Sequence, residues 1–259
     1  MKVIVFHSYK GGTGKTTLAI NTAIKLSQKG YKTIVLDSDL NAPTFDSIFI
    51  GIKPKYRFND LFNGKETPTA NDLICNSRIN DNLDLIFADS KPKFGQGLLS
   101  MDKDFHRIAL KKLIDLKKEY DKMGYDFLIM DLSPSLNLSS VNAILIADAS
   151  VSVLRPNRYG IHGTTFLLEK LYTMLGTTKR KDFLILNQVV RGTPEKMVKQ
   201  WQRHFKKRLG IETIGVIHCD CGVALNMLFG NLIDDETTSK EFVKVMNKVV
   251  KKLEQNLKD

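Results

Sequence analysis

Cysteine is scarce in this chain, with Cys75, Cys219 and Cys221 the only three among 259 residues. An odd count without framework spacing excludes a disulfide-stapled scaffold and suits a reducing cytosol. Long apolar runs are also missing. None approaches the ~20 residues that cross a bilayer, and the start of the chain has neither the basic n-region nor the long h-region expected of a secretory leader. No internal repeat, low-complexity tract or interdomain linker interrupts the pattern. Acid is short relative to base: 28 Asp and Glu stand against 39 Lys and Arg, a net charge of +11. That excess suggests a polyanionic partner, and nucleic acid or an anionic membrane surface both qualify.

What is present is enough apolar residue, 42%, for one good core, so a single domain over residues 1–259 is expected. Strand-like and helix-like segments alternate. The apolar runs Val3–Phe6, Thr33–Leu36, Leu83–Phe87, Phe127–Met130, Ser150–Leu154, Phe183–Leu186 and Thr213–Ile217 read as strands. Between and after them, Lys15–Lys29, Phe105–Lys122, Leu138–Ala147, Gly163–Leu175, Pro194–Leu209 and Lys240–Leu257 read as helices, the first ended by Gly30. Residues from about Gly51 to Asn82 read as short helices and loops without a motif. Strands apolar on both faces and separated by helices predict an α/β fold, a mainly parallel sheet with helices on both faces.

The most informative stretch is Val3 to Thr17, V-I-V-F-H-S-Y-K-G-G-T-G-K-T-T. An apolar strand passes through a glycine-rich turn into a helix, the context a phosphate-binding loop needs. At Gly11, Gly12 and Gly14 the missing side chains let backbone N–H groups, with that of Thr13, close around phosphate oxygens. The first helical turn adds unpaired N–H groups and the positive end of a dipole. Lys15 is placed to reach the β- and γ-phosphates, Thr16 to bind Mg²⁺ and Thr17 to touch the α-phosphate. Three carboxylates, Asp37, Asp39 and Asp131, end predicted strands, where ligands sit in such sheets. Asn187 ends another, and its amide has the donor and acceptor that pair with adenine.

The ordinary pattern G-x-x-x-x-G-K-[ST] fails here, because Tyr9 stands where its first glycine belongs and Lys10 precedes the glycines. K-G-G-x-G-K-[ST] resembles the deviant Walker A motif of the ParA/MinD family of ATPases, and the likeness extends over nearly the entire chain. The resemblance implies ATP and Mg²⁺ as cofactors, with Asp131 as the Walker B aspartate holding Mg²⁺ through water. It implies that Asp39 orients or activates the attacking water, that Asp37 supports the metal shell, and that Asn187 contacts adenine. Ser133-Pro134-Ser135 stands where the family has its second switch. Val216-Ile217-His218-Cys219-Asp220 has His218 where the family usually has proline, so no adenine contact is carried over there. Lys10 would reach across a face-to-face, ATP-dependent homodimer to the neighbour's nucleotide. With Lys15 and Asp39 it forms the expected catalytic set.

The output of such a switch is open to two readings. Ten basic residues between positions 178 and 210 face only Asp182 and Glu195. On Pro194–Leu209, Met197, Trp201, Phe205 and Leu209 share a face at spacing four, leaving Lys196, Lys199, Arg203, Lys206 and Lys207 outward. Such a strip binds DNA without sequence preference. ParA proteins of similar pattern do so as ATP dimers on the nucleoid, with release triggered by a ParB-like protein. The rival is MinD-like membrane attachment. In the last helix Phe242, Val245, Met246, Val249, Val250, Leu253 and Leu257 oppose Lys244, Lys248, Lys251, Lys252 and Lys258. A basic amphipathic helix can lie on anionic lipid, but a valine-rich stripe suits packing on a sheet better. A metallocluster or anion-transport ATPase of the same superfamily is disfavoured by the lack of C-x-x-C and by the single phosphate loop. A nucleotide-sensing scaffold with negligible turnover differs only in degree. Cys219-x-Cys221 offers two thiolates where a closed zinc site needs four ligands, so free cysteines are expected.

Overall fold

A computed structural model describes residues 1–40, 42–62, 67–89, 103–134, 138–175, 179–228 and 239–257. Ser135 and Lys258, singled out in the sequence, lie outside the described residues. The chain runs β1 (Lys2–His7), α1 (Lys15–Gln28), β2 (Thr33–Asp37), α2 (Phe45–Ile48), β3 (Cys75–Asn76), β4 (Leu83–Ile86), α3 (Lys103–Lys122) and β5 (Phe127–Asp131). It continues α4 (Leu138–Ile146), β6 (Ala149–Leu154), α5 (Arg158–Leu175), β7 (Lys181–Val189), α6 (Glu195–Leu209), β8 (Glu212–His218), α7 (Cys221–Leu228) and α8 (Lys240–Leu257). The strands form one eight-stranded sheet in the order β3-β4-β2-β5-β1-β6-β7-β8. β2 pairs in parallel with β4 and β5, and β7 with β6 and β8, while β3 is antiparallel to β4. Every residue of β2, β4, β5 and β6 is buried, which requires cover on both faces. The α/β, mainly parallel architecture is therefore as expected.

The chain sorts into two compact units, one made of Met1–Val5, Ala23–Ser133 and Asn137–Ala147, the other of Phe6–Thr22, Pro134–Leu136 and Asp148–Asp259. In the first, Phe45, Phe49 and Phe87 meet edge-on with centroids 5.2 to 6.3 Å apart. Tyr120 of α3 is fully buried and donates its hydroxyl to the Ala70 carbonyl at 3.1 Å. That bond matters because a buried phenol without a partner costs about 1–3 kcal/mol. Gly30, at φ +89°, ends α1, and Tyr31 N–H bonds back to the Leu26 carbonyl as in a Schellman motif.

In the second unit α8 lies on β8. Phe242, Met246, Val249, Val250, Leu253 and Leu257 are all buried, so the valine-rich stripe is spent on the sheet. Gly215 makes the close approach possible, since a Cβ there would stand 2.8 Å from Val249 Cγ2. Helix α6 ends at Gly210, whose left-handed φ of 72° lets its N–H return to the Lys206 carbonyl.

Three local expectations need correction. Helix α5 starts at Arg158 rather than Gly163. Asn157 caps it, accepting the Gly160 N–H on Oδ1 at 2.7 Å, and this offsets the weak helix propensity of Gly160 and Gly163. The stretch expected to be free of strands contains β3, held only by pairing with β4. Met197, expected on the packed face of α6, is 43% exposed, and Phe205 is the one buried apolar residue of that helix.

Candidate nucleotide-binding site

The sheet carries two groups of candidate residues, one in each unit. The first begins where β1 ends at His7 and the chain turns through Ser8 to Gly14 before α1. Gly12 and Gly14 hold φ of +73° and +83°, a left-handed region that side chains rarely enter. Gly14 is constrained by space as well, for a Cβ there would fall 2.4 Å from Asn187 Nδ2. That amide donates to the Thr13 carbonyl at 2.7 Å, and its neighbour Gln188 donates from Nε2 to the Gly12 carbonyl at 3.2 Å. A trans peptide points its N–H opposite to its C=O. Drawing these two carbonyls toward the end of β7 therefore turns the N–H groups of Thr13 and Gly14 the other way, as an anion nest requires.

Asn187 thus has a role in this structure that the sequence did not suggest: it braces the loop. Gln188 was missed altogether. It sits in the left-handed region at φ 55°, a conformation costing about 1 kcal/mol or more for a non-glycine residue, and its carbonyl accepts the Cys219 thiol at 3.2 Å. The only sequence signal was a second amide following the first.

Tyr9, the residue in place of glycine, lays its ring on α5. A Cβ on Gly163 would come within 2.1 Å of Tyr9 Cε1, so glycine at that position is what admits the ring. The Ser8 hydroxyl donates to the Lys10 carbonyl at 2.9 Å and tightens the same turn. Lys10 is exposed, its Nζ 5.9 Å from the Tyr9 ring centroid. Lys15 is buried, 7% exposed, and Thr16 and Thr17 are half-buried. The two lysines of the motif therefore have opposite environments.

His7 underlies this loop and was not singled out in the sequence. It is buried, and its Nε2 lies 2.9 Å from both Ser150 Oγ and Ser152 Oγ of β6. Burial, then the charges of Arg180 and Lys15, hold its pKa down at about 3. The imidazole is neutral at physiological pH and adds no positive charge beneath the lysine.

The second group is acidic. Asp37 and Asp131 are register partners at the ends of β2 and β5 and are 0% and 1% exposed. Burial first, and the Asp131 charge second, push the Asp37 carboxyl up to about 7. It is opposed by three backbone donors, Thr44 N–H at 2.7 Å, Asp39 N–H at 3.0 Å and Phe45 N–H at 3.2 Å. Ser38 donates N–H and hydroxyl to the Asp131 carbonyl at 3.0 and 2.8 Å. Asp39 is 8% exposed and accepts the Ala42 N–H on Oδ1 at 3.2 Å. Two buried carboxylates that repel one another are a hard-oxygen donor set that a divalent cation relieves, and Mg²⁺ uses one or two carboxylates with waters and phosphate. The donor chemistry fits. Among the described residues no group of three or more His, Cys, Asp or Glu is arranged to hold a metal, Cys219 and Cys221 included, and all three cysteines are free.

The basic strip is exposed as expected at Lys196, Lys199, Arg203, Lys206 and Lys207. One of its charges is partly answered, because Lys199 Nζ meets Glu195 Oε1 at 2.7 Å.

Residues 1–185 match the protein family described as the AAA domain, AAA_31. The chain is 32% identical over 63% of its length to the virulence plasmid ParA family protein pGP5-D of Chlamydia psittaci, spanning 60% of that relative. It is 32% identical over 60% of its length to the septum site-determining protein MinD of Buchnera aphidicola, spanning 53% of it. The chain thus spans less than two thirds of either. A crystal structure described as a plasmid partition protein from Borrelia burgdorferi, bound to AMPPNP, superposes with a TM-score of 0.78 at 22% identity, covering 99% of both chains.

Proposed function

The chain belongs to the AAA-domain family of ParA/MinD-type phosphate-loop ATPases, and from that premise we propose a nucleotide-driven switch in DNA partition or cargo positioning. ATP joins two copies, the dimer holds DNA without regard to sequence, and hydrolysis, slow alone and stimulated by a ParB-like partner, releases it. The observation that carries this reading is the contrast between a buried Lys15 and an exposed Lys10, the latter carried on a loop anchored through Tyr9.

The N–H groups of Gly11, Gly12, Thr13 and Gly14, with Thr17, cradle the phosphates, and Lys15 binds the β- and γ-phosphoryl oxygens. Thr16, Asp37 and Asp131 would hold Mg²⁺, the last through water; when bound, the ion draws off charge developing on those oxygens. Asp39 orients the attacking water. Lys10 of the second copy stabilises the transferred phosphoryl group from across the dimer, as an arginine finger does. Asn187 keeps the loop open to the anion and turns its remaining polar capacity to adenine. DNA lies along Lys196, Lys199, Arg203, Lys206 and Lys207, a nucleoid location in the cytoplasm.

The membrane-attached alternative draws on the septum-site relative. Helix α8 gives it no support, because its apolar face is already covered. No helix among the described residues is long and apolar enough to cross a membrane.

The test is light scattering with a nonhydrolysable ATP analogue, together with turnover. The parent chain shifts from monomer to dimer, whereas Lys10→Ala stays monomeric and hydrolyses on the order of 10³-fold more slowly. A Lys10→Ala chain that dimerises and turns over normally overturns the reading. DNA retention that ignores nucleotide removes the switch.

A further inference from the structure

Between α5 and α6 runs an open groove of ≈ 640 Å³. Its floor is apolar, formed by Ile161, Phe166 and Trp201. Phe166 is 60% exposed, and on the same helix Tyr159 and Met174 are 76% and 53% exposed. Neither the phosphate loop nor the acidic group uses these residues. Large apolar side chains left exposed along one helix beside a groove mark an interaction site.

The rim is predominantly basic. Arg158 and Arg208 line it, and Arg203 and Lys207 stand three and seven residues beyond the lining residue Gln200, on the same side of α6. Glu169 is the only acid among the lining residues, and it accepts from Arg208 Nε at 2.5 Å. Inside the groove the Thr165 hydroxyl donates to the Ile161 carbonyl at 2.8 Å, and its Oγ1 lies 3.0 Å from His204 Nε2. From Arg158 to Glu169 the lining spans roughly 16 Å of helix, about three turns.

We infer that this groove is a docking site for an acidic amphipathic helix of a partner protein. An apolar floor between basic banks asks for a helix with a narrow apolar face, seated by i, i+3, i+4 and i+7 anchors, and flanked by Asp and Glu. A second copy of this chain is the wrong occupant, because it brings the same excess of positive charge. Duplex DNA answers the rim but would leave Phe166 and Trp201 without an apolar partner. The groove and its occupant stand whether or not α6 holds DNA.

Trp201, the single tryptophan of the chain, reports on occupancy. The probe is a Trp-free peptide of about 18 residues, with Leu at the anchor positions and Glu on the flanks. The controls are a scrambled peptide of equal composition and a duplex DNA. The expected result is a saturable blue shift of Trp201 emission, with the scrambled peptide at least about tenfold weaker. Phe166→Ser should weaken the peptide by about tenfold or more, and Arg158→Glu should weaken it without lowering the urea midpoint. Both residues are exposed, so the variants fold, which a urea midpoint verifies. Equal binding of the scrambled peptide overturns the inference, as does indifference to Phe166→Ser. Duplex DNA that shifts Trp201 as strongly, and is itself lost on Phe166→Ser, makes the groove a nucleic-acid seat and also overturns it. A failure of DNA binding with peptide binding intact touches only the DNA reading.

Discussion

Helices α6 and α8 look alike in sequence and differ in the fold. Both are basic and amphipathic. Helix α8 buries six apolar residues, from Phe242 to Leu257, on the sheet. Helix α6 buries Phe205 alone, with Trp201 and Leu209 half-covered and Met197 43% exposed. The width of the stripe accounts for the difference. Pairs at Val245–Met246 and Val249–Val250 widen the α8 stripe into a face that fills the space above β8, and Gly215 brings it in close. Beyond the Met197–Val198 pair the α6 stripe narrows to one residue, enough to fix the helix at a point and leave its flanks to solvent. A basic amphipathic pattern does not by itself distinguish a core helix from a docking helix, whereas the number of apolar columns does.

The largest effect that can break this comparison is in stability. Met246→Ala in α8 removes a fully buried side chain and should cost about 2–5 kcal/mol. Met197→Ala in α6 should stay within about 0.5 kcal/mol. Equal urea midpoints for the two variants would mean that α6 is as integral as α8.

Charge reversal sharpens the contrast from the other side. Glu at Lys196, Arg203 and Lys207 should lower the salt slope of duplex DNA binding by about 3 and weaken retention roughly 30-fold, a change of about 2 kcal/mol. Glu at Lys244, Lys248 and Lys251, equally exposed on α8, should change retention by no more than about threefold. A filter-binding series over salt concentration reads both. Similar losses would make the effect one of net charge rather than of a strip.

The smallest effect concerns the pH range over which the unit carrying both helices persists. His7 titrates near 6.5 when unfolded and at about 3 when folded, chiefly through burial. The unfolded chain binds the extra proton between those values, so stability is fully present above pH 6.5 and is lost as pH falls toward 3. From pH 7 to 5.5 the loss should be about 1 kcal/mol. His7→Gln should flatten that slope in urea titrations; an unchanged slope would assign it to other groups.

Much of the fold was legible because its determinants are local. The runs at Val3, Thr33 and Phe127, each ending in a glycine turn or an aspartate, give β1, β2 and β5, and Gly30 closes α1 by backbone chemistry alone. Asp37 and Asp131 could be picked out because both end predicted strands, and the sheet makes them register partners. The misses are of another kind. β3 exists only through its pairing with β4. Helix α7 and the four-residue α2 are too short for a period to emerge. The start of α5 was signalled by Asn157, but two glycines masked it. The brace of Asn187 and Gln188 on the loop joins residues 174 and 176 positions apart, a distance over which no local pattern reaches.

Tyr9 seats its ring against Gly163 by contact, and the Ser8 hydroxyl holds the same turn through the Lys10 carbonyl. A methyl group at position 163 would fall 2.1 Å from the ring and act as a shim, so the ring, and the stretch carrying Lys10 beside it, would have to shift. On the proposed reading, a helix position more than a hundred residues downstream thus bears on how far Lys10 reaches.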